Sequence, residues 1–303
     1  MWSIANIQIA NDARKANVPY VVTVRGMLDD WCMEQGKLHK RLFLAIWGRD
    51  HLERASTVHC TAAAELTQAQ RWFPKGVGTV VPNLLDLTPF RNAPGPALAH
   101  EKYPRLAQVN TSNGSNGSSA PDPTILFLSR IHKKKGVDTL LTAGASLKAR
   151  NINFVLAIAG TGEPAYVDQM KAMATSLGIA DRVVWTGHIG GPLKISLYQA
   201  ATLFALPTHS ENFGFVFPEA LASGTPVLTT HGVDIWPELE SSGAACILDP
   251  TAEAFADCIA KLLTNPDQLA AMRERAKPWV FREFDEANLV ARYEAMYVSC
   301  MKK

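Results

Sequence analysis

An α/β fold built on a parallel sheet is predicted by three features of this 303-residue chain. From Thr124 to Leu263, short runs of strand length alternate with stretches of helical length. Several of the short runs are apolar throughout, as strands buried on both faces are. Gly and Pro punctuate the junctions. Alternation of this kind builds right-handed βαβ units, and the carboxyl-terminal half reads as a complete Rossmann-like domain. The length gives a prior of about two domains.

Composition narrows the class. With 47% hydrophobic and 19% charged residues the chain is ordinary globular material. A net charge of +2 lacks the strong basic bias of nucleic-acid binders, so no nucleic-acid partner is expected. The five cysteines, Cys32, Cys60, Cys246, Cys258 and Cys300, are widely spaced without a Cys-x-x-Cys pair, which indicates neither a disulfide framework nor a zinc site. A reducing compartment fits. No apolar run approaches the roughly 18 residues of a membrane span, and Asn6, Gln8 and Asn11 interrupt any signal-peptide core. The expected location is cytoplasmic, with peripheral contact at the inner membrane face left open.

In chain order, residues 1–15 read as a helix and the β-branched run 18–24 as a strand that delivers Arg25 at its carboxyl end. Arg25 has two readings, a contact for an anionic ligand or a local salt bridge or cap. Residues 36–55 carry Leu38, Leu42, Ala45, Ile46 and Leu52 at helical spacing, with Lys37, Lys40, Arg41, Arg49 and Arg54 elsewhere on the surface. A basic amphipathic helix can lie on anionic lipid. Asp50 and Glu53 dilute its charge, so a plain solvated face is the competing reading.

Residues 56–60 form a strand in which His59 reads as a core histidine, and Thr61 can cap a helix with Ala64 and Glu65 in its first turn. Residues 77–81 form another strand. Residues 91–123 are rich in turn-formers, culminating in the low-complexity run Thr111–Ser119, and are expected to be a flexible linker or loop. The expected divisions are therefore 1–90, the linker 91–123, a domain over 124–283 and a closing helix over 284–303. Two carboxyl-terminal helices are expected, 266–276 and 285–297, broken near Pro278 and Phe281.

Three stretches can carry chemistry. Ser210 to Leu228 holds Glu211 and Glu219, with an aromatic and glycine run between them. Glu211 should lie on the loop after a buried strand and Glu219 near the start of the next helix, in the crevice where open α/β sheets bind ligands. Exposed backbone N–H groups there, that of Gly214 included, can hold a phosphate or a sugar hydroxyl. Leu128 to Gly136 places Arg130 and Lys135 between a strand and a helix, a donor fork and a point charge that suit a diphosphate. Ala159 to Pro164 is a Gly-x-Gly turn without the third glycine of the dinucleotide fingerprint, so nicotinamide or flavin is not supported. Gly187 closes a strand, either to admit a ligand closely or as a plain turn glycine.

The order of Arg25-Gly-Met, Pro82-Asn83, Arg130 with Lys135-Gly136, and Glu211 to Glu219 resembles the retaining glycosyltransferases of family 4 (glycosyltransferase group 1), and the resemblance covers nearly the whole chain. It implies the two-domain GT-B fold. It also implies transfer of a glycosyl group from a nucleotide-activated sugar to an acceptor hydroxyl with retention of configuration, in polysaccharide or surface-glycan assembly. On that resemblance Arg130 and Lys135 bind the donor diphosphate, Glu219 receives the ribose hydroxyls, and Gly187 approaches the base. Glu211 and the backbone of Asn212, Phe213, Gly214 and Phe215 face the donor sugar, which assigns Glu211, Arg130 and Lys135 to catalysis. Arg25 is the acceptor-side candidate. The nucleotide-diphosphate sugar is a substrate, no cofactor or metal is implied, and the acceptor is a glycan or lipid-linked molecule.

The pattern also departs from the family. Ser129 stands where a glycine is usual, and Leu84 replaces the glycine of the hinge. The resemblance implies that the first βα units of the amino-terminal domain are missing, leaving that Rossmann-like domain incomplete and transfer impaired. The alternative from another class is a non-catalytic nucleotide-sugar-binding remnant. A non-hydrolysing sugar epimerase would need its own acid and base in the first domain. A glycosidase pair sits poorly with a ribose-binding Glu219.

Overall fold

The computed structural model describes residues 1–108 and 121–302, so the run Thr111–Ser119 lies outside the described residues. The chain divides into two compact units. The first gathers Met1–Leu85, Ser210–Gly214 and Phe284–Lys303, and the second Asp86–His209 and Phe215–Glu283. Both are Rossmann-like, the first with the smaller sheet.

In the first unit α1 (Ile4–Lys15) starts where the Ser3 side chain accepts the Ala5 N–H. Three parallel strands follow in the order β1 (Val21–Thr23), β2 (Thr57–Cys60) and β3 (Gly78–Val80), with Val22 opposite Val58 and His59 opposite Thr79. Between β1 and β2 lie α2 (Asp30–Glu34), α3 (Lys37–Phe43) and α4 (Arg49–Glu53), and between β2 and β3 lies α5 (Ala63–Gln70). Val24, Leu28, Leu52, Val58 and Phe73 close the core.

The apolar stripe of residues 36–55 does not face this core. Leu38, Leu42, Ala45 and Ile46 are exposed, Leu38 by 78%, whereas Leu44, Gly48 and Leu52 are buried. The cause is a π-helical turn, Leu44–Gly48, between α3 and α4. A regular helix advances about 100° per residue and would keep Leu52 on the stripe with Leu38. The wider turn takes up one extra residue and rotates Leu52 by about that angle, into line with Leu44.

The closing helix also starts later than expected. Helix α14 (Pro266–Glu283) runs through Pro278 without ending, and α15 (Glu286–Met301) begins after Asp285, whose side chain accepts the Asn288 N–H. Pro278 removes one backbone bond, but Ala276, Trp279 and Val280 are buried and hold the helix across it. Within the first unit α15 lies against the sheet. The Tyr293 hydroxyl donates to the Pro82 carbonyl at 3.1 Å, Arg292 to that of Val80 at 3.2 Å, and the Tyr293 ring stands edge-on to His59.

The second unit opens with α6 (Thr88–Arg91) and α7 (Ala97–Lys102), followed by a 3-10 turn over Pro104–Ala107. Residues 91–108 are thus not the flexible linker expected from their composition. The Ala99 N–H donates to Ser196 Oγ at 3.0 Å, the Gly95 N–H to Gln199 Oε1 at 2.7 Å, and Ala99 and Leu106 are buried. Few apolar side chains are needed when neighbouring side chains satisfy the backbone.

The remaining elements are β4 (Thr124–Leu128), α8 (Val137–Ala149), β5 (Val155–Ala159), α9 (Pro164–Ser176), β6 (Val183–Gly187), α10 (Gly191–Ala200) and β7 (Leu203–Ala205). Then come α11 (Val216–Ala222), β8 (Val227–Thr230), α12 (Trp236–Ser241), β9 (Ala245–Leu248) and α13 (Ala252–Leu263). All pairings in this six-stranded sheet are parallel, in the order β6-β5-β4-β7-β8-β9. The direction of winding reverses between β4 and β7. Ligands of open α/β sheets bind at such a switch point, beyond the carboxyl ends of the strands. The loops after β4 and β7 flank it.

Candidate functional site

The loop after β4 is fastened on both sides. Toward β5, the Ser129 N–H donates to the Ala159 carbonyl at 3.1 Å and the Ile131 N–H to that of Thr161 at 2.8 Å. Gly160 is required there, because a Cβ would lie 1.8 Å from the Ser129 carbonyl oxygen. Toward β7, the His209 N–H donates to the Lys134 carbonyl at 2.8 Å and the Thr208 hydroxyl to the same oxygen at 3.2 Å. Gly136 completes the turn into α8 at φ 69°, with the Pro207 carbonyl oxygen 2.2 Å from where a Cβ would stand. The two expected cations on this loop differ: Arg130 is exposed, while Lys135 is buried.

Glu219 lies in the first turn of α11, whose helix begins at Val216, two residues ahead of Pro218. Both carboxylate oxygens are engaged. Lys194 Nζ donates to Oε1 at 2.7 Å, and the Tyr198 hydroxyl donates to Oε2 at 3.1 Å. Tyr198 is fully buried, and its phenol is held well above its ordinary pKa, first by burial and then by the Glu219 charge. Neither partner was singled out from the sequence. Their signal was the spacing: Lys194 and Tyr198 are four residues apart on α10, so they share one face of it.

Gly187 ends β6 at φ 70°, with no atom within 4 Å of where a Cβ would be. It lines a cavity of about 500 Å³ together with Ile131, Gly160, Gly162, Val167 and Trp185. An edge of β6 and the turn after β5 therefore share an open volume.

The expected pair of carboxylates is divided between the units, since Ser210–Gly214 clusters with the first and Phe215–Glu283 with the second. Glu211 and Asn212 are half-buried. Phe213 is buried and its ring meets Phe284, grouped with the same unit, edge-on at 5.9 Å. Gly214 takes a left-handed φ of 64°, and Phe215 is exposed.

At the carboxyl ends of β1 and β2, Arg25 is exposed with a left-handed φ of 43°. Beneath it the nearly buried Glu65 accepts the Gly26 N–H and the Thr61 N–H, each at 2.5 Å. The Thr61 hydroxyl stands 2.9 Å from Glu65 Oε2 and 3.3 Å from Asn212 Oδ1. His59 is buried with its ring nitrogens on Thr23 Oγ1 and the Val81 carbonyl, and burial lowers its pKa. Among the described residues no group of three or more His, Cys, Asp and Glu side chains could hold a metal ion. Among the described residues no helix is long and apolar enough to cross a membrane.

Comparison with known proteins agrees with this architecture. A family described as "Glycosyl transferases group 1" matches residues 109–279, and a "Glycosyl transferase 4-like domain" matches residues 2–83. A D-inositol 3-phosphate glycosyltransferase of Saccharomonospora viridis is 32% identical over 238 residues, which is 74% of this chain and 51% of that protein. A GDP-mannose-dependent alpha-(1-6)-phosphatidylinositol monomannoside mannosyltransferase of Mycobacterium tuberculosis is 30% identical over 178 residues, covering 56% and 46%. The chain thus spans about half the length of these curated relatives.

Among solved structures, Anabaena Alr3699/HepE in complex with UDP superposes with a TM-score of 0.79 at 19% identity, covering 97% of this chain and 76% of that one. Sucrose-phosphate synthase of Thermosynechococcus elongatus gives 0.75 at 20%, covering 98% and 71%. At that identity the likeness speaks for the fold alone. Two Rossmann-like units, their sheets and these two family matches together make the chain a GT-B member of the glycosyl transferases group 1 family.

Proposed function

We propose that this protein binds a nucleotide-activated sugar through its second unit and transfers the glycosyl group to an acceptor hydroxyl with retention of configuration. The observation that carries this reading is Glu219, a carboxylate in the first turn of α11 beside the switch point, held by two side chains rather than by its own backbone. A ribose offers two adjacent hydroxyl donors, which can take the place of the Lys194 ammonium while the buried Tyr198 keeps its hold on Oε2. Arg130 and Lys135 would then face the diphosphate. Negative charge grows on that leaving group in the transition state, and cations already in place there lower the barrier without reorganising. The reading therefore calls on no metal. Glu211 and the backbone of 212–215 attend the sugar, and Arg25 the acceptor. The relatives' names supply two nucleotides to try, GDP and UDP.

Calorimetric titration with UDP-, GDP- and ADP-sugars tests the reading. One of them should bind, and Glu219→Ala should weaken it by about tenfold or more, as expected for hydrogen bonds to a charged group. No binding of any of the three, or an unaffected Glu219→Ala, would remove the basis for it. A second reading, donor binding without transfer, is favoured by the small three-stranded sheet of the first unit. Turnover in a coupled nucleotide-release assay separates the two.

The exposed stripe of Leu38, Leu42 and Ile46, flanked by Trp47 and by Lys37, Arg41 and Arg49, suits the surface of an anionic bilayer. This points to peripheral contact with a membrane that carries a lipid-linked acceptor. Co-sedimentation with vesicles rich in anionic lipid should exceed that with neutral vesicles, and Leu42→Glu with Ile46→Glu should abolish the difference.

A further inference from the structure

We propose that Glu65 is a positioning residue that presents the Arg25 guanidinium to a phosphate group on the acceptor, an inference that rests on the transferase reading above. Glu65 is 1% exposed in the first turn of α5. Oε2 bonds locally, to the N–H and hydroxyl of Thr61, just ahead of Ala62 where α5 starts without a side-chain cap. The other oxygen leaves its own helix. Oε1 accepts the Gly26 N–H, on the loop after the neighbouring strand, at 2.5 Å. This second bond does nothing for the start of the helix.

What it holds is a turn of two successive left-handed residues, Arg25 at φ 43° and Gly26 at φ 73°. An arginine rarely adopts that conformation. Gly26 is hemmed in as well, since a Cβ there would lie 2.9 Å from Asn212 Cβ. The backbone that aims Arg25 is therefore fixed from below by Glu65 and from the side by Asn212.

The guanidinium itself is exposed and, among the described residues, makes no hydrogen bond or ion pair. Among the described residues of the same unit Arg14, Arg54 and Arg71 are ion-paired, with Asp50 or Asp30, whereas Arg41 and Arg49, on exposed helix rather than on a fixed turn, are not. An arginine on a fixed turn with its five donors unengaged matches a phosphate, which it can grip with two parallel bonds.

Calorimetric titration of the full chain with inorganic phosphate, in the presence of saturating UDP, tests this. Phosphate should bind saturably, and Arg25→Ala should weaken it by about tenfold while leaving UDP affinity unchanged. Glu65→Gln keeps the size of the side chain but turns one acceptor into a donor, and should weaken phosphate binding by about fivefold. Added to Arg25→Ala it should cost nothing further, because it acts through Arg25; a merely structural role would weaken both backgrounds alike. If Glu65→Gln does not fold, Thr61→Val takes its place in the same cycle.

Phosphate that fails to bind, or binds Arg25→Ala equally well, overturns the proposal. So does a loss of UDP affinity in Arg25→Ala, which would give the guanidinium to the donor. So does further loss on adding Glu65→Gln to Arg25→Ala. If UDP does not bind, GDP or ADP takes its place; if none of the three binds, the transferase reading fails, and the Arg25→Ala titration without nucleotide still decides this one.

Discussion

Each unit holds a carboxylate in the first turn of the helix that follows a strand, and the two are secured in different ways. Glu65 in the first unit takes backbone N–H groups, which cannot withdraw without unfolding the loops that carry them. Glu219 in the second unit takes a phenol buried with its ring and an ammonium at the end of a flexible side chain, and the ammonium can rotate aside when a ligand brings its own donors. A carboxylate with fixed partners shapes a surface, whereas one with an exchangeable partner can receive a substrate. Sequence position alone, early in a helix after a strand, does not distinguish them.

The largest expected effect comes from Gly136, which fixes the loop on the Glu219 side. Gly136→Ala imposes a left-handed alanine and a clash with the Pro207 carbonyl, together costing about 2–5 kcal/mol. Denaturant unfolding should show that loss, and nucleotide binding should fall with it. Wild-type stability would mean that the loop shifts freely and that the contrast between fixed and exchangeable anchoring is too sharply drawn.

A smaller effect separates the partners of Glu219. Tyr198→Phe removes one buried donor and should lower stability by about 1 kcal/mol, with UDP affinity falling at most a few-fold. Should the change raise affinity instead, Tyr198 would be a competitor of the ligand rather than a support for the carboxylate.

The smallest effect concerns pH and belongs to the first unit. His59 and His51 are buried and their pKa values are lowered, chiefly by burial. Below the ordinary histidine pKa of about 6.5 the unfolded chain binds protons that the folded one resists, so stability present above that pH is lost as pH falls through it. Thermal unfolding followed between pH 7.5 and 5.5 should show the decline, and His59→Gln should make it shallower. An unchanged slope in that variant would free His59 from the effect.

Much of the second unit was legible because its strands are apolar runs with glycine or proline at their ends, and local pattern suffices for such elements. The loops after β4 and β7 could be read as loops for the same reason. Lys194 and Tyr198 could not, since only the return of the chain from β6 to β7 brings α10 beside α11. Glu65 was visible as a first-turn acid, but the bond to Gly26 crosses between strands and leaves no mark in local spacing. Proline misled at Pro278, where burial of Trp279 and Val280 outweighed one missing N–H. Composition misled at 91–108, where Ser196 and Gln199 supply the partners that the segment lacks.

The π turn at Leu44–Gly48 bears on how this protein tolerates changes of length. Leu44 and Leu52 are eight residues apart, which a regular helix would set about 80° out of register, and the wider turn absorbs the difference. Removing one residue from 45–47 would let the segment close into an ordinary α-helix with the two leucines seven residues apart and still aligned. The helix therefore contains a point at which the chain can lose a residue while the core beneath it stays in place.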